Sequence, residues 1–323
     1  MKIYFAPLEG ITDSIFRRTH HACFSGVDKY FIPFVSPTQN LFFTTRDLRA
    51  ISPEENKGLY AVPQIMAKNA DLFLWCARQL ADMGYTEVNL NIGCPSSTVT
   101  AKGKGAGMLR TPDVLVRLLD EIYAHSPLPV SVKTRIGYAS EEEWPHLLSI
   151  LAGYPIHELI VHPRTRTQFY TGTPHTDAYE LTFDRASCPI VCNGDLFTKE
   201  DCMQALESYP DVSALMLGRG LIANPALAQY AKGGEGLTHA ALRRFHDLLL
   251  DEYLRLMDEN YALNRMQAVM KHIVCCFEHA PRDAKSLRKS ANIAAYRDRA
   301  HRLFEEHALR ENPCFLSDPE SIH

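Results

Sequence analysis

The sequence has no apolar run approaching the roughly 20 residues needed to cross a bilayer, so a membrane span is not expected. Nor does it open on a charged segment followed by a short apolar one. Met1-Lys2-Ile3-Tyr4-Phe5-Ala6-Pro7 runs directly into a strand-like stretch, unlike a secretion signal, and a cytoplasmic protein is expected. The nine cysteines include no C-x2-C pair, are odd in number and are scattered, which argues against both a disulfide framework and a thiolate metal site; no metal is expected. Cys188 and Cys192 flank an apolar strand and Cys275-Cys276 sit in an amphipathic helix, so all four are expected as buried thiols. Only Cys94, between Gly93 and Pro95, asks for another explanation. No G-x-G-x-x-G follows a strand at the start of a helix, which leaves a dinucleotide-binding open sheet without support. An excess of positive charge is missing too: 34 basic against 38 acidic residues give −4, whereas nucleic-acid binders often carry a basic domain. Locally the balance reverses. Arg282, Lys285, Arg288, Lys289, Arg297, Arg299 and Arg302 face only Asp283 and Asp298, either as a patch for a phosphate backbone or as a solvated helix face.

What is present is a rhythm. Short apolar runs at Ile3–Pro7, Lys29–Phe34, Tyr60–Met66, Glu87–Ile92, Val130–Arg135, Glu158–His162, Ile190–Asn193 and Ala214–Gly218 alternate with segments of helical spacing. Examples are Ala70–Met83, with Leu72, Cys76, Leu80 and Met83 on one side, and Val114–Tyr123. Continuous apolar strands alternating with helices imply a parallel sheet with its outer face covered, and eight of them imply a closed (β/α)8 barrel of the TIM type. The 323 residues suit such a barrel plus an extra module. The glycine cluster Lys232-Gly233-Gly234-Glu235-Gly236 reads as a linker, after which the β pattern stops. Helices are expected from a Thr238 cap to Asp258, over Met266–Phe277 and Ile293–Leu309, with a shorter one around Ala284–Ser290. The expected division is a barrel over 1–235 and a small all-helical domain over 236–323.

In such barrels the reactive residues sit at the C-terminal ends of the strands. Here those ends carry Ala6-Pro7-Leu8-Glu9-Gly10, Gln64, Asn91-Ile92-Gly93-Cys94-Pro95, Lys133-Thr134-Arg135, His162-Pro163-Arg164-Thr165, Asn193-Gly194-Asp195 and Gly218-Arg219-Gly220. The glycine turns after strands 7 and 8 occupy the usual phosphate position, where Arg219 would add a charge-assisted contact. A lysine deep in a barrel needs a partner, because a buried ammonium is costly to desolvate, and an electron-rich ring that gains negative charge on reduction would supply one for Lys133. Gln64 can hydrogen-bond a ring edge as donor and acceptor, or be a strand-end amide satisfied by loops. Together these fit flavin mononucleotide (FMN), phosphate at Gly194, Gly218 and Arg219, ring at Gln64 and Lys133. Cys94, protonated at neutral pH if its thiol is ordinary, can act as a general acid. The loop Ala101–Gly107, with Lys102 and Lys104, reads either as a mobile cationic flap over a phosphate-bearing substrate or as a solvated loop.

The runs Ala6-Pro7-Leu8-Glu9-Gly10-Ile11-Thr12-Asp13, Asn91-Ile92-Gly93-Cys94-Pro95, Lys133-Thr134-Arg135-Ile136-Gly137, Val161-His162-Pro163-Arg164-Thr165, Asn193-Gly194-Asp195 and Gly218-Arg219-Gly220 resemble, in order and spacing, the signatures of the tRNA-dihydrouridine synthases. The resemblance covers residues 1 to about 230, and the helical tail is similar to that family's RNA-binding domain. It implies that NADPH reduces bound FMN, and that a D-loop uridine of tRNA, flipped from its stack, then receives hydride at C6 and a proton from Cys94 at C5. It further implies FMN contacts from Pro7, Leu8, Glu9, Gln64, Lys133, His162, Asn193, Gly194, Asp195, Gly218 and Arg219. Substrate contacts are implied for Asn91 and Arg135 at the uracil edge, with Arg164, Arg166 and Lys102 helping to guide the RNA. Leu8 for the family's usual Met, Pro163 for Gly and Ala223 for Gly depart from the pattern without removing a reactive group. A monomer without protein partners is expected. The competing expectations are a flavin barrel reducing a small molecule of dihydroorotate or enoate type, which needs no basic helical tail, and a non-catalytic RNA-binding barrel, which would not purify yellow.

Overall fold

The structure is a computed structural model whose described residues are 1–315; residues 316–323, where the expected helical domain ends, and the side chain of Pro281 lie outside them. The apolar runs form eight parallel strands: β1 (Ile3–Phe5), β2 (Lys29–Val35), β3 (Ala61–Ile65), β4 (Val88–Ile92), β5 (Val130–Gly137), β6 (Leu159–Thr165), β7 (Ile190–Asn193) and β8 (Ala214–Leu217). They pair in sequence order and close into a barrel; the Leu215 N–H donates to the Lys2 carbonyl at 2.9 Å across the seam. Parallel strands need crossovers, and amphipathic helices supply them. Between β3 and β4, helix Ala70–Asp82 begins where the Asn69 side chain accepts the Leu72 N–H, and it buries Leu72, Cys76 and Leu80. Between β4 and β5, helix Pro112–His125 starts with proline in its first turn and buries Leu115, Leu119 and Ile122.

Three strands differ by two or more residues from their sequence limits at one end, each for a local reason. β1 stops at Phe5, two residues short of Pro7, which has no N–H to donate. β5 and β6 instead continue to Gly137 and Thr165 past an irregularity between Arg135 and Gly137. Arg164, expected just beyond its strand, therefore stands on β6, as Lys133, Arg135 and His162 stand on theirs. In β2 the register shifts between Ile32 and Val35, around Pro33.

Two compact units are distinguishable. The first comprises residues 1–7, 28–194 and 205–216 and carries the strand pairing; the second comprises 8–27, 195–204 and the chain from Leu217 onward. In the second, helix Ser14–Cys23 packs on His239–Leu256, with Phe16 and Phe24 against Phe245 at ring distances of 5.7 and 5.6 Å. Thr238 caps His239–Leu256 by accepting the Ala241 N–H. The next helix runs Glu259–Ile273 and so starts ahead of Met266; Asp258 caps it, and the polar Glu259, Asn260 and Asn264 obscure its apolar stripe in sequence. Pro281–Arg288 and Ile293–Glu306 follow. Among the described residues no helix is long and apolar enough to cross a membrane.

The N-terminal end of the barrel is closed by an ion cluster. Lys29, at the start of β2, donates to Glu87 at 2.9 Å and Glu158 at 2.9 Å, residues that immediately precede β4 and β6. The Tyr4 hydroxyl donates to Glu158 at 2.8 Å, and His157 meets Glu87 at 2.9 Å. Removing the cation would leave two carboxylates facing each other in a poorly hydrated space. Lys29→Met is expected to cost about 3–5 kcal/mol in urea denaturation. Adding Glu87→Gln and Glu158→Gln should recover part of that loss, because no uncompensated charge then remains. An equal loss in both variants would show that packing, not charge, is what Lys29 contributes.

Candidate active site

At the opposite end of the first unit the strand ends converge on a chain of amides. Gln64 of β3 is 1% exposed; its Nε2 donates to Asn89 Oδ1 at 2.7 Å and its Oε1 accepts from Asn91 Nδ2 at 2.7 Å. Asn89 in turn donates to Ser131 Oγ on β5 at 2.8 Å. Asn91 Oδ1 accepts the N–H groups of Gly93 and Cys94 at 3.1 and 2.9 Å. Side chains at β3, β4 and β5 thus hold the turn that presents Cys94. Each amide here already has internal partners, which bears on the expectation that Gln64 meets a ring edge and Asn91 a base: Asn91 positions the Cys94 backbone whatever else it touches.

The loop after Cys94 closes over it. The Ala106 N–H donates to the Cys94 carbonyl at 3.0 Å. Gly105 adopts φ +54°, and a Cβ there would lie 2.9 Å from the Cys94 carbonyl oxygen. A Cβ at Gly107 would lie 2.7 Å from the Thr100 carbonyl oxygen. The second half of Ala101–Gly107, read in sequence as either a mobile flap or a solvated loop, is instead buried, because its glycines permit backbone-on-backbone packing; Lys102 remains exposed. Cys94 itself is half-buried.

Two cations flank it. Lys133 Nζ donates to Asn193 Oδ1 at 2.7 Å, and Asn193 Nδ2 donates to the Met216 carbonyl at 2.7 Å. Burial, then the neighbouring Arg135 charge, pushes the Lys133 ammonium down to about 7, while a charge on Cys94 acts the other way. Arg135, 2% exposed, donates to the Gly93 and Thr165 carbonyls at 3.1 and 2.7 Å, bridging the Cys94 turn to the end of β6; burial chiefly lowers it to about 10. His162 is buried, its Nε2 3.3 Å from Arg164. Arg164, 1% exposed, also donates to the Thr171 and Gly172 carbonyls at 3.2 and 2.6 Å. It therefore ties down the loop after β6, so any influence on RNA passes through that loop. Arg166 lies over the rings of Tyr138 and Phe169 at 5.4 and 4.8 Å, with its Nε buried and unpartnered among the described residues. Pro7 is half-buried after β1. Gly194, at φ +131°, has room for no Cβ without one coming within 3.3 Å of the His162 and Pro163 rings.

The second unit carries Leu8, Glu9, Asp195, Gly218 and Arg219. The Leu8 N–H donates to Thr12 Oγ1 at 2.9 Å, while Glu9 is exposed. Arg219 donates to Asp195 at 2.7 Å and stacks on Phe197 and Phe315 at 5.1 and 4.9 Å. Gly218 precedes the short helix Arg219–Ala223. A Cβ at Gly220 would lie 2.3 Å from the Leu196 carbonyl oxygen, so this turn requires glycine there. Among the described residues no three His, Cys, Asp or Glu side chains are grouped to hold a metal. Cys192 and Cys276 are buried as expected, whereas Cys188 and Cys275 are half-buried, the former at the edge of β7 and the latter in a turn after its helix has ended.

A model of the family described as dihydrouridine synthase (Dus) matches residues 4–312. The chain belongs to the dihydrouridine synthase family. As a member it is an oxidoreductase acting on a CH–CH group. It is 29% identical over 229 residues to tRNA-dihydrouridine synthase B of Pasteurella multocida (strain Pm70), covering 70% of this chain and 67% of that protein. It is 27% identical over 289 residues to tRNA-dihydrouridine synthase B of Pectobacterium carotovorum, covering 87% and 88%. Among solved structures, the old yellow enzyme homologue from Zymomonas mobilis superposes with TM-score 0.51 at 13% identity, over 76% of this chain and 92% of that one. Morphinone reductase does so with TM-score 0.50 at 11% identity, over 73% and 86%. These two share the fold.

Several residues of this dihydrouridine synthase face carried no signal in sequence. Asn89 and Ser131 look like ordinary strand polar residues until β3, β4 and β5 stand side by side. Tyr179, whose hydroxyl contacts the Val161 and Asn193 carbonyls at 2.9 and 3.0 Å, comes from helix Ala178–Arg185. Gly105, by contrast, was visible as one glycine among three in Ala101–Gly107. Gly105→Ala is expected to cost about 1–2 kcal/mol and to displace the Cys94 carbonyl it would strike. Thermal melting reads the first effect. Site-resolved alkylation reads the second, as a changed Cys94 rate with Cys23 and Cys188 unaltered; an unchanged Cys94 rate would show that the loop does not hold the thiol.

Proposed function

We propose that the protein reduces the C5–C6 double bond of a D-loop uridine in tRNA, with FMN as resident cofactor and NADPH as reductant. The observation that carries this reading is that Cys94 and Lys133 stand at the ends of neighbouring strands, where Lys133 lies in register with the Asn91 that holds the Cys94 turn. One is a half-buried thiol held by backbone contacts to Asn91 and Ala106. The other is an ammonium whose hydrogen bond goes to a neutral amide, with no carboxylate beside it among the described residues. A half-buried cation left in that state suits a ligand that becomes anionic on reduction, and FMN fits it. Lys133, Gln64, His162, Asn193 and Gly194 would hold the cofactor from the first unit, with Pro7. Leu8, Glu9, Asp195, Gly218 and Arg219 are assigned to it on family resemblance. When bound, FMN supplies the hydride that adds to uracil C6.

The chain's own residues then complete the reduction. The Cys94 thiol donates its proton to C5, so the new C–H bond forms as the S–H bond breaks. The thiolate left behind lies in the field of Lys133 and Arg135, both of which respond to a charge on Cys94. Water returns the proton. Arg135 and Asn91 shape the turn under the base. The Arg164-anchored loop with Arg166, together with Lys102, faces the RNA, and the helical segment 236–323 is assigned to bind its backbone. A monomeric, cytoplasmic enzyme fits this reading.

The test is to incubate the purified protein with NADPH and tRNA lacking dihydrouridine, then measure dihydrouridine by nucleoside mass spectrometry beside Cys94→Ala. Product from the parent enzyme that falls by about 10²-fold or more in the variant supports the assignment. A yellow protein that oxidises NADPH and leaves every uridine intact points to a small-molecule reductase instead.

Lys133 gives an independent prediction. Its folded-state value of about 7 lies below the ordinary 10.5, so between these limits the unfolded chain binds a proton that the folded chain does not. Unfolding free energy should therefore rise with pH across that window in the cofactor-free protein. Urea denaturation at several pH values should show this rise flattened in Lys133→Met. An unchanged profile would place the ammonium in a well-hydrated site.

A further inference from the structure

The loops that follow β2, β3 and β4, three neighbouring strands, bring three lysines together on the catalytic face of the first unit. Lys68 follows β3, and Lys102 and Lys104 follow β4 on the loop packed over Cys94. Lys104 Nζ donates to the hydroxyl of Ser36, the residue just after β2, at 2.8 Å. Gly103, between the two loop lysines, faces the stem of Lys68: a Cβ there would be 3.9 Å from Lys68 Cδ. Among the described residues no carboxylate pairs with any of the three. Burial, and then the charges of Lys102 and Lys68, hold Lys104 below an ordinary lysine. Like charges so gathered repel unless an anion joins them, and Ser36 fixes one of them in place.

We propose that Lys68, Lys102, Lys104 and Ser36 form a phosphate-binding site on the rim beside Cys94. It is distinct from the phosphate position expected after β7 and β8, which lies on the other side of a barrel whose strands pair in sequence order. The ligand is a phosphate group carried by a substrate of the reaction proposed above, and the inference rests on that reading. Two sources share this chemistry: the phosphodiester of the tRNA strand next to the reduced uridine, and the 2′-phosphate of NADPH. The link from the Ala106 N–H to the Cys94 carbonyl makes this site continuous with the turn that presents the acid. Phosphate bound here would draw the loop and Cys94 together as one unit.

The test uses Lys68→Gln and Lys68→Gln/Lys102→Gln in the full-length holoenzyme. Both positions are exposed, so folding is not at stake, and melting curves confirm it. Filter binding of unmodified tRNA is measured from low to moderate salt, together with KM for NADPH and for NADH in flavin reduction without tRNA. If the phosphate belongs to tRNA, affinity falls several-fold and the slope of log K against log salt drops by about 1 for each lysine that had neutralised a phosphate. If it belongs to the cofactor, KM rises for NADPH and not for NADH, with tRNA binding by Lys68→Gln unchanged. Parent values of affinity, salt slope and both KM values in the double variant overturn the proposal. Because tRNA affinity is read without turnover, a protein that makes no dihydrouridine would sink the reaction assignment while leaving this site decided on its own data.

Discussion

Asn91 accepts the N–H groups of Gly93 and Cys94 while donating to Gln64, and the catalytic face depends on that set of hydrogen bonds. A side-chain amide inside a barrel must find partners, since a buried polar group left unpaired costs about 1–3 kcal/mol. Here the partners lie on neighbouring strands and in the turn to be positioned. Through Asn89 and Ser131 the same chain reaches β5, and Arg135 returns from β5 to the Gly93 carbonyl. The Cys94 turn is thereby held from both sides by groups whose own orientation is already determined, and glycines at 105 and 107 let the following loop settle onto it.

Charge is divided between the ends of the barrel. At the N-terminal end Lys29 is neutralised by Glu87 and Glu158, and the cluster is closed to further ligands. At the other end Lys133, Arg135, Arg164 and Arg166 meet carbonyls, amides and aromatic rings. The formal charge of −4 conceals this asymmetry. An electropositive face of this kind attracts a polyanion and stabilises a thiolate, both of which the proposed reaction needs. In the second unit Arg219 is held differently, by Asp195 and two phenyl rings.

What could be read in the sequence follows from how locally each feature is encoded. Eight apolar runs with helical segments between them are local patterns, and a parallel sheet with both faces buried is the one arrangement that satisfies them, so barrel class and strand positions were legible. Cys94, Lys133, His162 and Arg219 were legible as well, since such side chains at strand ends have no use in a core. The limits of β5 and β6 were not, because an irregularity after Arg135 lets pairing continue beyond the last apolar residue. The early start of helix Glu259–Ile273 was hidden by polar residues on its solvent side.

The sequence by itself determined the barrel and the family, since residue type and spacing along one chain are enough for those. Tertiary structure alone decided what each group faces. It turned Asn91 and Arg164 into anchors for their loops, packed Ala106 against Cys94, and gathered Lys68 with Lys102 and Lys104 beside Ser36. The physical reason is that hydrogen bonds and charge interactions act over a few ångströms in space. Residues separated by tens of positions become neighbours only once the strands have closed.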